Sequence, residues 1–341
     1  MMKTGIILNN IGTPRSYSPD DVGLYLSEFL MDKNIIGAPW LIRYILVNLL
    51  IVPRRKYQSA EKYKRIWGKE KSPLLEITEN FKSKMQEFLD EELYPIEIGM
   101  RYGQHSISKA VDKLIQKKVD HIIFVPLYPQ FAQATTGSAV EEFKKIISAS
   151  GLSYTITSSF YNQNFFIQKT AQKMRHYIDG GNYEHIVFSF HGLPESQILK
   201  NKTCAINAEC CARAEQEIAG CYRAQCFATA HMIAKELKLP KQHYSITFQS
   251  RLGPTKWIQP YTQETVVGLA QNHVKNVLVV TPSFVSDCIE TLEEIALEVR
   301  HEYQKAGGTD LKLVPCLNSD DDWVKDFSTW ILEQTAIKIV K

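Results

Sequence analysis

The 341-residue sequence has no G-x-G-x-x-G after an apolar run and no Walker A segment, so neither a dinucleotide nor a nucleoside triphosphate finds a phosphate cradle in it. It lacks an excess of one charge: 40 Lys and Arg stand against 37 Asp and Glu, a net of +3, where nucleic-acid binding asks for a concentrated basic patch. No apolar run approaches the ~20 residues that span a bilayer. The early GIIL at residues 5–8 is too short for a secretory h-region and meets polar residues at once, which sets a cytoplasmic location as the expectation. Cysteine is scarce too, seven in all and an odd number, which excludes a secreted disulfide scaffold.

What is present is a succession of short β-rich runs at residues 5–12, 94–103, 119–129, 153–161, 185–192, 243–250 and 274–284, most of them separated by stretches with helical spacing. Strands alternating with helices define an α/β chain built on parallel sheets. The pattern restarts near residue 151. Two domains are therefore expected, at 1–150 and 151–315, with a C-terminal helix at 316–341 packing back on the first. Ligands of open α/β sheets bind at the carboxyl ends of the strands, where this sequence places NNIGTP, MRYGQHS, LYPQFAQATTGS, SFHGLPES, FQSRLGP and SFVSDCIET.

Four groups of residues carry chemistry. His191 directly follows the apolar run VFSF and can serve as a borderline-metal ligand or a base near neutral pH, or simply end a buried strand. In SDCIETLEEIALEV, Ser286 reads as an N-cap; Asp287, Glu290, Glu294 and Glu298 then share one helix ridge, either a solvated face or a line of carboxylates for cations and protons. Arg55, Tyr63, Ser72, Arg101 and Tyr102 form a basic and hydroxyl set able to hold carboxylates. Five cysteines, Cys204, Cys210, Cys211, Cys221 and Cys226, lie within the Cys-rich segment 201–226, and in a reducing compartment such a cluster points to metal. The apolar stretch 38–57, interrupted by Arg43 and Asn48, reads either as a buried core helix or as a lip for membrane or a greasy ligand, with Arg54, Arg55 and Lys56 at its end.

LNNIGTP, YPQFAQATTGS, SFHGLPES, FQSRLGPTKWIQPYTQET and SFVSDCIETLEEI, in this order between about residues 4 and 320, resemble the ferrochelatase family. The resemblance implies two Rossmann-like, chelatase-type domains, each a parallel sheet flanked by helices, with the active-site cleft between them. It implies insertion of Fe²⁺ into protoporphyrin IX with release of two protons. By position it assigns His191 and Glu290 to the metal site and Glu294 to a metal or proton path. Ile11, Tyr128 and Trp257 match porphyrin-cleft positions; Arg55, Tyr63 and Ser72 match propionate contacts, and Arg101 and Tyr102 an Arg-Tyr pair of the pocket. Cys288 stands where many members have His, and the chain is two residues longer than some relatives between Tyr63 and Ser72.

Some members of that family carry a [2Fe–2S] cluster, which makes four of the five clustered cysteines its expected ligands, with structural zinc as the alternative. Fe²⁺ is expected as substrate, and the apolar lip adds an expected peripheral contact with the inner face of the membrane. Coproporphyrin III or another tetrapyrrole as substrate, and a catalytically silent haem or iron–sulfur carrier, are the competing readings. No nucleotide or nucleic acid is expected.

Overall fold

A computed structural model describes residues 2–200, 204–212, 220–251, 253 and 255–339, the last five by backbone alone. Two compact units emerge: Met1–Leu127, Gln133–Ser158 and Ser319–Lys341 make the first, and Tyr128–Ala132 with Ser159–Asn318 the second.

The first unit is built on four parallel strands in the order β3-β1-β5-β6, where β1 is Thr4–Asn9, β3 Ile96–Ile98, β5 His121–Pro126 and β6 Ser153–Ile156. All six residues of β1 are buried, as a central parallel strand covered on both faces must be. Two-residue strands β2 (Gly12–Thr13) and β4 (Tyr102–Gly103) pair beside it. The helices around this sheet start where their sequences say: Ser18, Ser72 and Ser106 each accept the amide three residues on, and proline follows the first two at the opening position. Phe124 and Phe143 stack in the core with ring centroids 4.3 Å apart.

The expected restart at residue 151 lies inside this unit. β6 pairs with β5 after a crossover through the Ser138–Ile147 helix, so the first sheet continues past residue 150. The C-terminal helix Asp321–Ile339 belongs here too, with Phe327 5.6 Å and Trp323 6.3 Å from the Phe81 ring.

The second unit repeats the plan with the order β10-β9-β7-β8, where β7 is His185–His191, β8 Tyr244–Gln249, β9 Asn276–Val280 and β10 Asp310–Leu313. β10 has no counterpart among the seven β-rich runs of the sequence. β7 is central and pairs in parallel with both neighbours. Val187, Val277 and Val279 from the sheet pack with Val266, Ile295, Val299 and Tyr303 from flanking helices.

The apolar stretch is resolved by exposure. From Trp40 to Ile66 the chain is helical throughout, passing through a wide π-helical turn at Ile45–Ile51. Only Arg43, Val47 and Val52 of residues 38–57 are buried, whereas Trp40 is 62% and Leu49 61% exposed, with Leu41, Ile42, Tyr44, Ile45 and Leu50 also at the surface. A core helix would bury these side chains, so that reading is set aside. Arg43 is inside because its guanidinium donates to the carbonyls of Ile36 and Ala38, at 3.2 and 2.7 Å. No helix among the described residues is long and apolar enough to cross a membrane.

Candidate active site

In the second unit the ends of β7 and β8 lie side by side, with His191 paired to Gln249. The imidazole Nδ1 lies 2.6 Å from the Gly192 carbonyl. A carbonyl can only accept, so Nδ1 is the donor here, and in the neutral ring Nε2 then presents the lone pair that a base or a metal ligand needs. The backbone at this point is tied down on three sides. The His191 amide donates to Ser283 Oγ at 2.9 Å, the Tyr222 hydroxyl donates to the His191 carbonyl at 2.8 Å, and the Gly192 amide donates to the Gln249 carbonyl at 2.8 Å.

Glycine is required at 192 by close approach. A Cβ there would stand 2.6 Å from the Gln249 carbonyl oxygen and 3.2 Å from the Trp257 ring. The next residues pair with the Trp257 segment: Pro194 bridges Trp257, Ile258 donates to the Leu193 carbonyl at 3.0 Å and Glu195 to that of Lys256 at 2.9 Å. Trp257 is buried and its indole N–H donates to Thr255 Oγ1 at 3.1 Å. Leu252 and Pro254 of FQSRLGPT lie outside the described residues.

The acidic ridge enters on the helix Glu290–Val299, which is π-helical rather than α-helical; the Arg300 amide reaches back five residues to the Ile295 carbonyl. Glu294 accepts the Ser250 amide at 2.7 Å and the Ser250 hydroxyl at 2.5 Å, while Gln249 Nε2 donates to the Glu290 carbonyl at 2.7 Å. Burial pushes the Glu294 carboxyl above the ordinary carboxylate range; the Ser250 bonds and the nearby His191 draw it part of the way back, and Glu290 pushes it up again. His191, Glu290 and Glu294 thus share one electrostatic neighbourhood. Ser250 reaches its post with φ +64°, left-handed backbone that a non-glycine residue adopts only where its surroundings hold it there.

Two features of this stretch differ from the sequence expectation. Ser286 is not an N-cap, since the helix begins later, with Ile289 as its cap residue. Asp287 leaves the ridge and turns inward, accepting Thr291 Oγ1 at 2.9 Å, Asn318 Nδ2 at 2.7 Å and the Cys316 amide at 3.3 Å. That carboxylate fastens the chain around Cys316–Asn318 instead of facing a cation path. The Cys288 thiol is buried and pushed well up by burial, and further by the Glu290 charge.

The basic set of the first unit has internal partners. Arg101 Nη2 meets Asp32 Oδ2 at 2.7 Å and its Nε donates to Ser138 Oγ at 2.8 Å; the Tyr102 hydroxyl donates to the same Asp32 oxygen at 2.8 Å, and Ser138 Oγ donates to it as well. Burial works against the Asp32 charge, but these bonds outweigh it and hold its carboxyl below the usual range. The same burial drives the Tyr102 hydroxyl well above its ordinary value. The carboxylate bound by Arg101 is therefore one of the protein's own. Ser72 is buried as a helix cap, Tyr63 is buried with its ring 6.0 Å from Trp67, Ile11 is half-buried between β2 and β1, and Arg55 is exposed. Tyr128 is buried in the second unit.

Among the cysteines, Cys204 and Cys210 approach to 3.9 Å between sulfurs, and Cys204, Cys210, Cys211 and Cys221 all feel one another's charge. Burial raises the Cys204, Cys211 and Cys221 thiols, Cys204 to about 11, while Arg223 Nη1, 2.7 Å from Cys211 Sγ, pulls that one down. Cys226 sits inside the helix Tyr222–Glu236, fully buried, with Tyr222 as its side-chain partner. The sulfur donor set suits a soft metal or an iron–sulfur cluster. Among the described residues, however, no three His, Cys, Asp or Glu side chains are placed to hold a metal ion, and a [2Fe–2S] cluster has no support from this geometry. Residues 201–203 and 213–219 of the expected Cys-rich segment lie outside the described residues.

Gln249, Ser250, Ser283 and Tyr222 are the residues that sequence reasoning left unmarked. Their signal was proximity: the first three sit in the motifs FQSRLGP and SFVSD.

Two such four-stranded parallel sheets flanked by helices define a chelatase-fold protein. The sirohydrochlorin chelatase SirB of Bacillus subtilis superposes with a TM-score of 0.55 at 11% identity in its cobalt complex, covering 98% of this chain and 95% of that one. Its form with Fe³⁺ gives 0.56 at 12%, covering 100% and 98%. The sequence model of the ferrochelatase family matches residues 3–335. Ferrochelatases of Bdellovibrio bacteriovorus and Legionella pneumophila (strain Lens) are each 41% identical, the first over 96% of this chain and 98% of the relative, the second over 98% and 100%. The chain belongs to the ferrochelatase family and is an enzyme of the metal-chelatase class.

Proposed function

We propose that the protein inserts Fe²⁺ into protoporphyrin IX with loss of both pyrrole protons, and that His191, Glu290 and Glu294 carry the reaction. The observation that carries the assignment is the His191 tautomer: with Nδ1 committed to the Gly192 carbonyl, Nε2 is left to take a pyrrole proton. Glu294, raised by burial and sensitive to the charge on His191, suits onward transfer of that proton. Glu290, one turn away on the same helix, then serves as the hard oxygen donor to iron. No electron moves: the porphyrin gives up two protons and accepts the dication. Porphyrin contacts fall to Ile11, Tyr128 and Trp257, with Arg55 and Tyr63 toward the propionates. Arg101, Tyr102 and Ser72 act through the shape of their surroundings, since each has an internal partner.

Coproporphyrin III, with four carboxylates, needs more unmatched positive charge than this set offers once Asp32 neutralises Arg101. Turnover of the two porphyrins with Fe²⁺ under anaerobic conditions tests the choice; faster turnover of coproporphyrin III overturns it.

A [2Fe–2S] cluster on Cys204, Cys210, Cys211 and Cys221 belongs to the same reading, on the chemistry of four sulfur donors that feel one another's charge rather than on their placement, with Cys226 set apart inside its helix. Such a group serves structure or sensing, because the insertion is redox-neutral. Anaerobic protein with neither visible charge-transfer absorption nor acid-labile sulfide excludes it. The exposed apolar face at Trp40–Leu50, followed by Arg54, Arg55 and Lys56, supports peripheral contact with an anionic inner membrane face from the cytoplasm. Co-sedimentation with anionic vesicles, lost in Trp40→Ser/Leu49→Ser, is the check.

A further inference from the structure

The peptide joining His191 to Gly192 is held at both ends, by the Tyr222 hydroxyl on its oxygen at 2.8 Å and by the Gln249 carbonyl on its nitrogen at 2.8 Å. The peptide before it is held by Ser283 Oγ on the His191 amide at 2.9 Å. The carbonyl that fixes the imidazole tautomer comes one residue later, from Gly192. The clamped peptide fixes the Gly192 nitrogen on one side of that carbonyl, and on the other the Leu193 carbonyl is held by the Ile258 amide at 3.0 Å. Tyr222 is buried, so its hydroxyl is not shared with solvent, and Ser283 lies within its reach. Tyr222 is also the first residue of the helix Tyr222–Glu236. That helix start is anchored by Arg223, which bonds Cys211 Sγ at 2.7 Å and the Gln259 carbonyl at 3.4 Å.

We infer that Tyr222 and Ser283 are positioning residues that hold the His191–Gly192 backbone so that the imidazole is protonated at Nδ1 and presents Nε2. The inference rests on the reading that His191 does the chemistry, but its test can fail separately. Nitrogen-15 NMR of histidine-labelled protein shows the neutral His191 ring as the Nδ1–H tautomer in the wild type. Tyr222→Phe keeps the ring and removes only the hydroxyl; it yields a mixture of the two tautomers, kcat about tenfold lower, and a KM for porphyrin within twofold of wild type. Ser283→Ala, which leaves the Tyr222 side chain in place, shifts the same resonances and covers the case in which Tyr222→Phe folds poorly. Wild-type tautomer and wild-type kcat in both variants overturn the inference. Full activity in His191→Ala instead sinks the chemical role of His191 and leaves the tautomer result to judge the clamp alone.

Discussion

The edge around His191 and the cysteine segment a few residues downstream differ in how their side chains are held. At the edge, the groups proposed for chemistry are fixed by named partners: Ser250 donates to Glu294, the Gly192 carbonyl accepts from His191 Nδ1, and Gln249 donates to the backbone carbonyl of Glu290. In the cysteine segment, buried thiols face one another, and burial together with mutual charge raises Cys204, Cys211 and Cys221, with Arg223 as the one compensating cation on Cys211. A metal would reverse that, since coordination favours the thiolates. The first region is balanced by its own hydrogen bonds; the second has its thiols raised with Arg223 as a compensating cation.

Ways to break this comparison run from large effects to small. Gly192→Ala forces a Cβ against the Gln249 carbonyl and the Trp257 ring, and is expected to destabilise by about 1–3 kcal/mol and to lower insertion more than 100-fold, read by thermal unfolding and turnover together. Glu294→Gln is expected to slow turnover about 10–100-fold while making the protein more stable at neutral pH. The sign follows from the direction of its shift. A carboxyl raised in the native state favours the proton there, so stability falls as pH climbs past the ordinary value of 4.5 and stays lower above the native value. The gain in Gln is therefore absent at pH well below the ordinary carboxylate value and complete above the native one. Ser250→Ala removes a bond that lowers the Glu294 carboxyl, so the acid limb of the kcat profile moves to higher pH, with a loss of a few-fold at neutral pH. Cys226→Ser leaves any colour and labile sulfide of anaerobic protein intact, whereas Cys211→Ser removes them; loss of the chromophore in both shows the four-thiol assignment to be wrong.

How much of this was legible depends on the range over which each residue finds its partner. The seven apolar β-rich runs each yield a strand, and the central β1 and β7, covered on both faces, announce themselves most plainly. Ser72 caps the Pro73–Phe88 helix, a local role that stood unmarked beside its expected propionate contact. By contrast, the Asp32 that neutralises Arg101 lies 69 residues away, and only the fold brings them together. The boundary at 150 failed because β6 looks like any other strand; its pairing with β5 is a tertiary fact. Spacing of three and four residues among the acids fits an α-helix and a π-helix alike, so the late start of the Glu290–Val299 helix and the inward turn of Asp287 were hidden. The cysteine cluster was plain in the sequence, but the sequence could not separate Cys226 from the other four.

The central claim is that His191 and Glu290 carry metal insertion. Anaerobic mixing of Fe²⁺ with protoporphyrin IX in weak buffer, followed by porphyrin absorption and a pH indicator together, measures iron inserted and protons released. The wild type is expected to release two protons per iron inserted, and His191→Ala and Glu290→Gln to fall by at least about 100-fold in both signals with unfolding temperatures unchanged. Insertion at the wild-type rate by either variant would contradict the account.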